Sequence, residues 1–272
     1  MNPPLYVESH GAGRPVLLIH GFGATMYTWR HLVPLLARRH QVITVDLKGS
    51  GRAPKPPDGH YGVRDQAGHI ADLILSRDLT DLTLVGHSFG GGVVLAAAVG
   101  RALPPGRLQS LVLIDSMAYR QAFPWFISLL RTPILGPLAL GLLPKEPQVR
   151  LVLRAGYHEP AKITDDAVKA YAAPLRLAAA RRALIETARA IPPEDADALA
   201  ALYSAITLPT LMLWGRHDAI VPLPIGERLH RAIATSRLVV VDDAGHLPHE
   251  ETPERVSEEL SRFLGWPQGG LP

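Results

Sequence analysis

The chain has 272 residues, 47% of them hydrophobic and 19% charged, with a formal net charge of +3 and no cysteine. Disulfides, thiol catalysis and thiolate metal sites are excluded, and no basic run is long enough to mark a nucleic-acid footprint. One domain carrying an insertion suits this length better than two independent domains.

At the N-terminus, Met1 to Leu5 shows no charged region followed by an apolar stretch, so no signal peptide is expected. No uninterrupted apolar run reaches the roughly 18 residues of a membrane span. A cytoplasmic protein without stable membrane insertion is expected, with its oligomeric state left open.

Leu5-Tyr6-Val7 predicts a short edge strand, turned by Gly11 to Gly13 into the continuously apolar run Pro15 to His20. His20-Gly21-Phe22-Gly23 follows, and Trp29 to Arg38 has helical spacing. Gln41 to Asp46 predicts a second buried strand, ending in the loop Leu47 to Arg52. Val63 to Arg77 predicts a helix with Ile70, Leu73 and Ile74 on one face. Further strands are predicted at Leu82 to Val85, Leu108 to Asp115, Thr210 to Gly215 and Leu238 to Asp242, with a closing amphipathic helix from Pro253 to Leu264. Strands alternating with helices imply a mostly parallel doubly wound α/β sheet with helices on both faces and its site at the carboxyl ends of the strands.

The alternation breaks between 116 and 206. This proline-rich stretch has no strand pattern, only short helical pieces such as Trp125 to Leu130 and a longer one over Asp165 to Ile191. It predicts a helical lid (116–206) inserted into a core formed by 1–115 and 207–272. Its apolar runs suit lining a pocket and packing on the core; contact with a membrane interface is the other use of such runs.

Gly86-His87-Ser88-Phe89-Gly90 lies between a β-branched strand and a run of small residues that opens a helix. This is the G-x-S-x-G pattern, in which a tight turn lifts a serine hydroxyl above the sheet. A serine nucleophile needs a base, and the base needs a group that fixes its tautomer. His246, on the loop after the final strand, is the candidate base, and His249 is its local competitor; His20 and His87 are expected to hold loops. Asp218, after the penultimate strand, is the first choice of acid, and Asp115, at the end of the strand after the elbow, is the other. Backbone N–H groups of Phe89 and Phe22 are the candidate oxyanion donors. Phe22, Phe89, Trp125 and Phe126, with Ile127, Leu129 and Leu130, are the candidate pocket walls. His246 and His249 are three residues apart, but Pro248 disfavours a shared helical face and no third ligand is evident, so no metal is expected. No phosphate-binding glycine motif follows a strand, and no cofactor is expected.

Together these residues resemble the α/β-hydrolase superfamily in its lidded single-domain branch. His20 to Gly23 is similar to its HG oxyanion motif, Asp46 to Arg52 to its D-x-x-G-x-G loop, and Gly86 to Gly90 to its elbow. Gly215-Arg216-His217-Asp218 is similar to the acid motif and Gly245-His246 to the base motif. Ala53 stands where that loop usually has serine. The resemblance implies the α/β-hydrolase fold. Ser88 in place of aspartate argues against haloalkane dehalogenases and epoxide hydrolases. It implies a serine hydrolase of small-molecule carboxylic esters acting through an acyl-enzyme. The alternatives are a C–C hydrolase of ring-cleavage diketo acids, a lactonase, a perhydrolase, or a non-catalytic small-ligand binder.

Overall fold

The computed structural model describes residues 5–100 and 102–266. Seven strands form one sheet: β1 (Tyr6–His10), β2 (Arg14–Ile19), β3 (His40–Asp46), β4 (Leu82–His87), β5 (Leu108–Ile114), β6 (Thr210–Gly215) and β7 (Ser236–Val241). Their spatial order is β1-β3-β2-β4-β5-β6-β7, with only β1 antiparallel to its neighbour. The chain therefore leaves β2 in one direction to make β3 and returns on its other side to make β4. That reversal is a topological switch point, and it opens a crevice between the loops after β2 and β4. Phe22 and Ser88 sit on those two loops.

Helices cover both faces. α1 (Val33–Leu36), α2 (Val63–Ser76) and α3 (Phe89–Val99) come before β5, and α4 (Trp125–Arg131), α5 (Leu135–Leu142), α6 (Lys145–Gly156), α7 (Asp165–Ala172), α8 (Ala178–Arg189) and α9 (Ala196–Ala201) lie between β5 and β6. α10 (Leu223–Ala232), α11 (Pro248–Glu251) and α12 (Pro253–Phe263) are the last helices among the described residues. Alternate strand residues divide between two cores. Leu17, Ile19 and Leu84 pack against α2 and α3, whereas Val16, Leu18 and Val85 pack against Trp29, Leu32 and Leu36 and against Val256 and Leu260 of α12. Such double-sided burial explains why the strands read as continuous apolar runs.

Two helix predictions are corrected. Trp29 to Arg38 is not one helix: a 3₁₀ turn over Met26–Trp29 precedes the short α1. Thr25 caps the first turn, and Asp46 Oδ1 accepts the Met26 N–H across it at 2.9 Å. Pro34 then starts a new helix, since a missing N–H is tolerated only in a first turn. Asp165 to Ile191 is likewise broken, at Pro174, into α7, a 3₁₀ turn over Ala173–Arg176 and α8. Sequence reading also missed α10, which buries Gly226 against Trp214 and Leu229 in the core.

The helical segment after β5 is tied down unevenly. α6 and α7 pack on Ala24 and Leu247 of the sheet loops, while Ile127, Leu130, Leu140, Ile185 and Ala188 form a separate cluster joining α4, α5 and α8.

Candidate active site

Ser88 is the N-cap of α3, with φ 53° and ψ −117°, a conformation L-residues hold only under constraint. Its N–H donates to Ile114 O on the neighbouring strand, and its carbonyl accepts from Gly91, Gly92 and Met117. Close packing demands glycine on either side. A Cβ on Gly86 would stand 2.4 Å from Gly90 O, and one on Gly90 2.3 Å from Ile19 O. The strand-turn-helix thus holds the serine above the sheet edge, at the N-terminus of α3.

The structure brings Ser88, His246 and Asp218 together. His246 Nε2 lies 2.9 Å from Ser88 Oγ, and Nδ1 lies 2.8 Å from Asp218 Oδ2. Asp218 Oδ1 accepts the N–H groups of Ile220 (2.7 Å) and Val221 (2.9 Å). All three residues are buried. Burial alone would raise the Asp218 carboxyl, but the neighbouring His246 and the hydrogen bonds outweigh it and hold it below the ordinary carboxylate range. An ionised Asp218 fixes Nδ1 as the protonated nitrogen, leaving Nε2 free to take the serine proton.

Asp115 stands one step behind. Its Oδ1 accepts the Gly215 N–H at 2.9 Å, and its second oxygen meets Asp218, itself an acceptor. Burial first, and then the charge of Asp218, push its carboxyl well above the usual range, and its Oδ2 has no hydrogen-bond partner among the described residues. Asp115 therefore stands against Asp218 and the Gly215 N–H rather than against His246. The ligand-type atoms of Asp115, Asp218 and His246 converge within 4.8 Å.

The other histidines hold loops. His20 donates from Nδ1 to Gly21 O and accepts the Leu47 N–H on Nε2. His87 donates from Nε2 to the His246 carbonyl at 2.8 Å; burial, then the nearby His246, press it down to about 3 and keep it neutral. His249, the local competitor for the base, is packed between Trp29 and His87 and donates to Thr28 Oγ1, which donates to Glu250. It does not face Ser88.

Sequence reading missed the support of the base. The His246 N–H donates to Gly156 O at the end of α6, and Glu251 Oε1 accepts the adjacent Gly245 N–H. Glu251 Oε2 accepts from His158 and Glu159, just beyond α6. Glu250 accepts from Tyr157 and Tyr171 of the helical segment, and from Thr28 and Arg30. Two consecutive glutamates thus join that segment to the base loop. Their only signal in sequence is a pair of acids beside the base motif. Glu251→Gln should leave either the Gly245 N–H or those of His158 and Glu159 without an acceptor, at a cost of about 1–3 kcal/mol. Chemical denaturation measures it, and an unchanged midpoint would show that the link contributes nothing.

A cavity of about 280 Å³ opens over Ser88 and His246. Phe22, Trp125, Phe126, Ile127, Leu129 and Leu130 are among the residues that line it. Phe89 does not. As the first residue of α3 it is packed in the sheet core, and it lines a smaller neighbouring hollow with Phe22 and Gly23 instead of this cavity.

The family model for the alpha/beta hydrolase fold matches residues 14–253. The chain belongs to this family. This α/β-hydrolase is 32% identical over 265 residues to the 2-hydroxy-6-oxo-2,4-heptadienoate hydrolase of Pseudomonas putida, with 93% of this chain and 90% of that protein covered. Among solved structures it is similar to a thermophilic esterase from Thermogutta terrifontis, at a TM-score of 0.79 and 29% identity, covering 96% and 92% of the two chains. A meta-cleavage product hydrolase from Pseudomonas fluorescens gives the same TM-score of 0.79 at 23% identity, covering 96% and 93%, a likeness of fold alone. Among the described residues no single helix of this α/β-hydrolase is long and apolar enough to cross a membrane.

Proposed function

We propose that this α/β-hydrolase is a serine hydrolase that cleaves carboxylic esters of small to medium apolar acyl groups. The observation that carries it is the Ser88-His246-Asp218 chain at the floor of an apolar cavity. Ser88 Oγ attacks the ester carbonyl as its proton passes to His246 Nε2. The N–H groups of Phe89 and Phe22 receive the oxyanion. His246 then returns the proton to the leaving alkoxide, giving an acyl-Ser88 ester. A water molecule, deprotonated by His246, releases the carboxylic acid by the same steps in reverse. Residues 116–206 act as the lid on a core of 1–115 and 207–272.

The relative from Pseudomonas putida supports a second reading, C–C cleavage of a diketo acid. Such a substrate carries a carboxylate that calls for a cation. Among the described residues no Lys or Arg lines the cavity. Arg120 is paired with Asp197, Arg131 donates to Ile191 O, and Arg154 is exposed on α6. This charge-free lining supports the ester.

A series of p-nitrophenyl esters of increasing acyl length tests the proposal. Each added methylene should contribute about 0.8 kcal/mol, about fourfold in kcat/KM, until the cavity is full, after which activity should fall. Highest activity at the longest chains would refute a bounded pocket. No ester turnover with rapid cleavage of 2-hydroxy-6-oxo-2,4-heptadienoate would transfer the function to the second reading.

A further inference from the structure

Helix α5, Leu-Gly-Pro-Leu-Ala-Leu-Gly-Leu, has no polar side chain on any face. Gly136 and Leu140 point inward and are buried. Ile134, Leu135, Leu138 and Leu142 point outward, at 74%, 56%, 51% and 75% exposure. A surface helix normally turns a polar face to water. Here the outer stripe is wholly aliphatic, and it continues into the mouth of the cavity: Trp125, Leu143 and Leu151 are each at least half exposed and also line it. Contiguous exposed apolar surface of this kind marks an interaction site.

The charges around the stripe identify what it meets. Residues 117–156 contain Arg120, Arg131, Lys145, Arg150 and Arg154 against the single acid Glu146. Arg120 and Arg150 are paired with Asp197 and Asp165, and Glu146 with Arg176. Lys145 donates to the carbonyls that end α5, beside Leu142 and Leu143, and Arg154 lies one turn from Leu151 on α6. Among the described residues neither has an ion-pair partner. A second copy related by a two-fold axis would set these cations against themselves. An anionic lipid surface would receive both the apolar stripe and the charge. α4 and α5 together have the length and apolarity of a span but are bent by 107°, a shape that lies in an interface rather than crossing it.

We propose that the outer face of α5, with the cavity rim formed by Trp125, Leu143 and Leu151, docks on an anionic phospholipid surface, so that apolar esters dissolved in the lipid enter the cavity directly. The entry of esters rests on the proposed function; the docking does not.

Cosedimentation with vesicles of equimolar phosphatidylglycerol and phosphatidylcholine reads the docking without catalysis. The wild type should bind them, bind pure phosphatidylcholine more weakly, and be released by salt. The double variant Leu138→Glu/Leu142→Glu changes exposed side chains that do not line the cavity, and should lose at least about tenfold in partitioning. Its turnover of soluble p-nitrophenyl butyrate should match the wild type. Wild-type protein that stays in the supernatant with both vesicles would overturn the proposal, as would equal binding by the variant. A wild-type dimer in sedimentation velocity that the variant dissociates would overturn it too, assigning the face to a second copy. Vesicle binding by a protein that hydrolyses no soluble ester would retain the docking and remove only the ester chemistry.

Discussion

Ser88→Ala is expected to lower kcat by on the order of 10⁴- to 10⁶-fold while leaving the fold intact, because nucleophile and base act as one unit. The variant removes one small oxygen, whose partner is His246 Nε2. The backbone hydrogen bonds that hold the elbow, from Ser88 N–H to Ile114 O and from Gly91, Gly92 and Met117 to Ser88 O, do not depend on the side chain. Far-ultraviolet circular dichroism and the unfolding midpoint should therefore stay near wild type as activity disappears. For the same reason, adding His246→Ala to Ser88→Ala should cost little more. A fluorophosphonate should label the wild type at Ser88 and leave the variant unlabelled. Full activity in Ser88→Ala, or a label on another residue, would remove the triad.

The two buried aspartates should separate sharply. Asp218→Asn keeps the shape of the acid but offers an amide to His246 Nδ1 and favours the wrong tautomer, so kcat should fall by about 10⁴-fold. Asp115→Asn should cost less than about tenfold, since an asparagine oxygen can accept the Gly215 N–H and its amide can donate to Asp218. The reverse ranking would place Asp115 in the triad. Stability against pH gives an independent reading. Asp115 is held above its unfolded value, so its contribution is full below the unfolded carboxyl range and declines as pH rises toward its folded value. Asp218 is held below its unfolded value, so its contribution is present above that range and is lost as pH falls. Asp115→Asn should flatten the decline of stability as pH rises above the unfolded carboxyl range, and leave the loss of stability below that range unchanged. A slope above that range identical to the wild type would show that Asp115 is ionised in the folded protein.

Much of the architecture was legible because burial on both faces of a parallel sheet leaves continuous apolar runs, and each candidate residue stands just past the end of one. Ser88 follows β4, Asp218 follows β6 and His246 follows β7. Local chemistry also sufficed for the elbow, whose neighbouring backbone leaves no room for a Cβ at Gly86 or Gly90. Helix boundaries were less legible where a proline could either start a helix or end one. Pro34 starts α1, whereas the run from Asp165 stops short of Pro174.

What the sequence by itself determined is therefore the fold class and the three residue types of the chain Ser88-His246-Asp218, because each follows from a local pattern. The sequence put Asp218 ahead of Asp115, and the tertiary structure shows Asp218 within hydrogen-bond reach of His246 Nδ1. Both end apolar strands and both are buried, and the difference is which carboxylate reaches Nδ1 of a histidine on another loop. It also packed the Phe89 ring in the core, lined the cavity without Lys or Arg among the described residues, and brought Glu250 and Glu251 against Tyr157, Tyr171 and the end of α6. These contacts join residues roughly 80 to 100 positions apart in the chain, and no local period or spacing encodes such a distance.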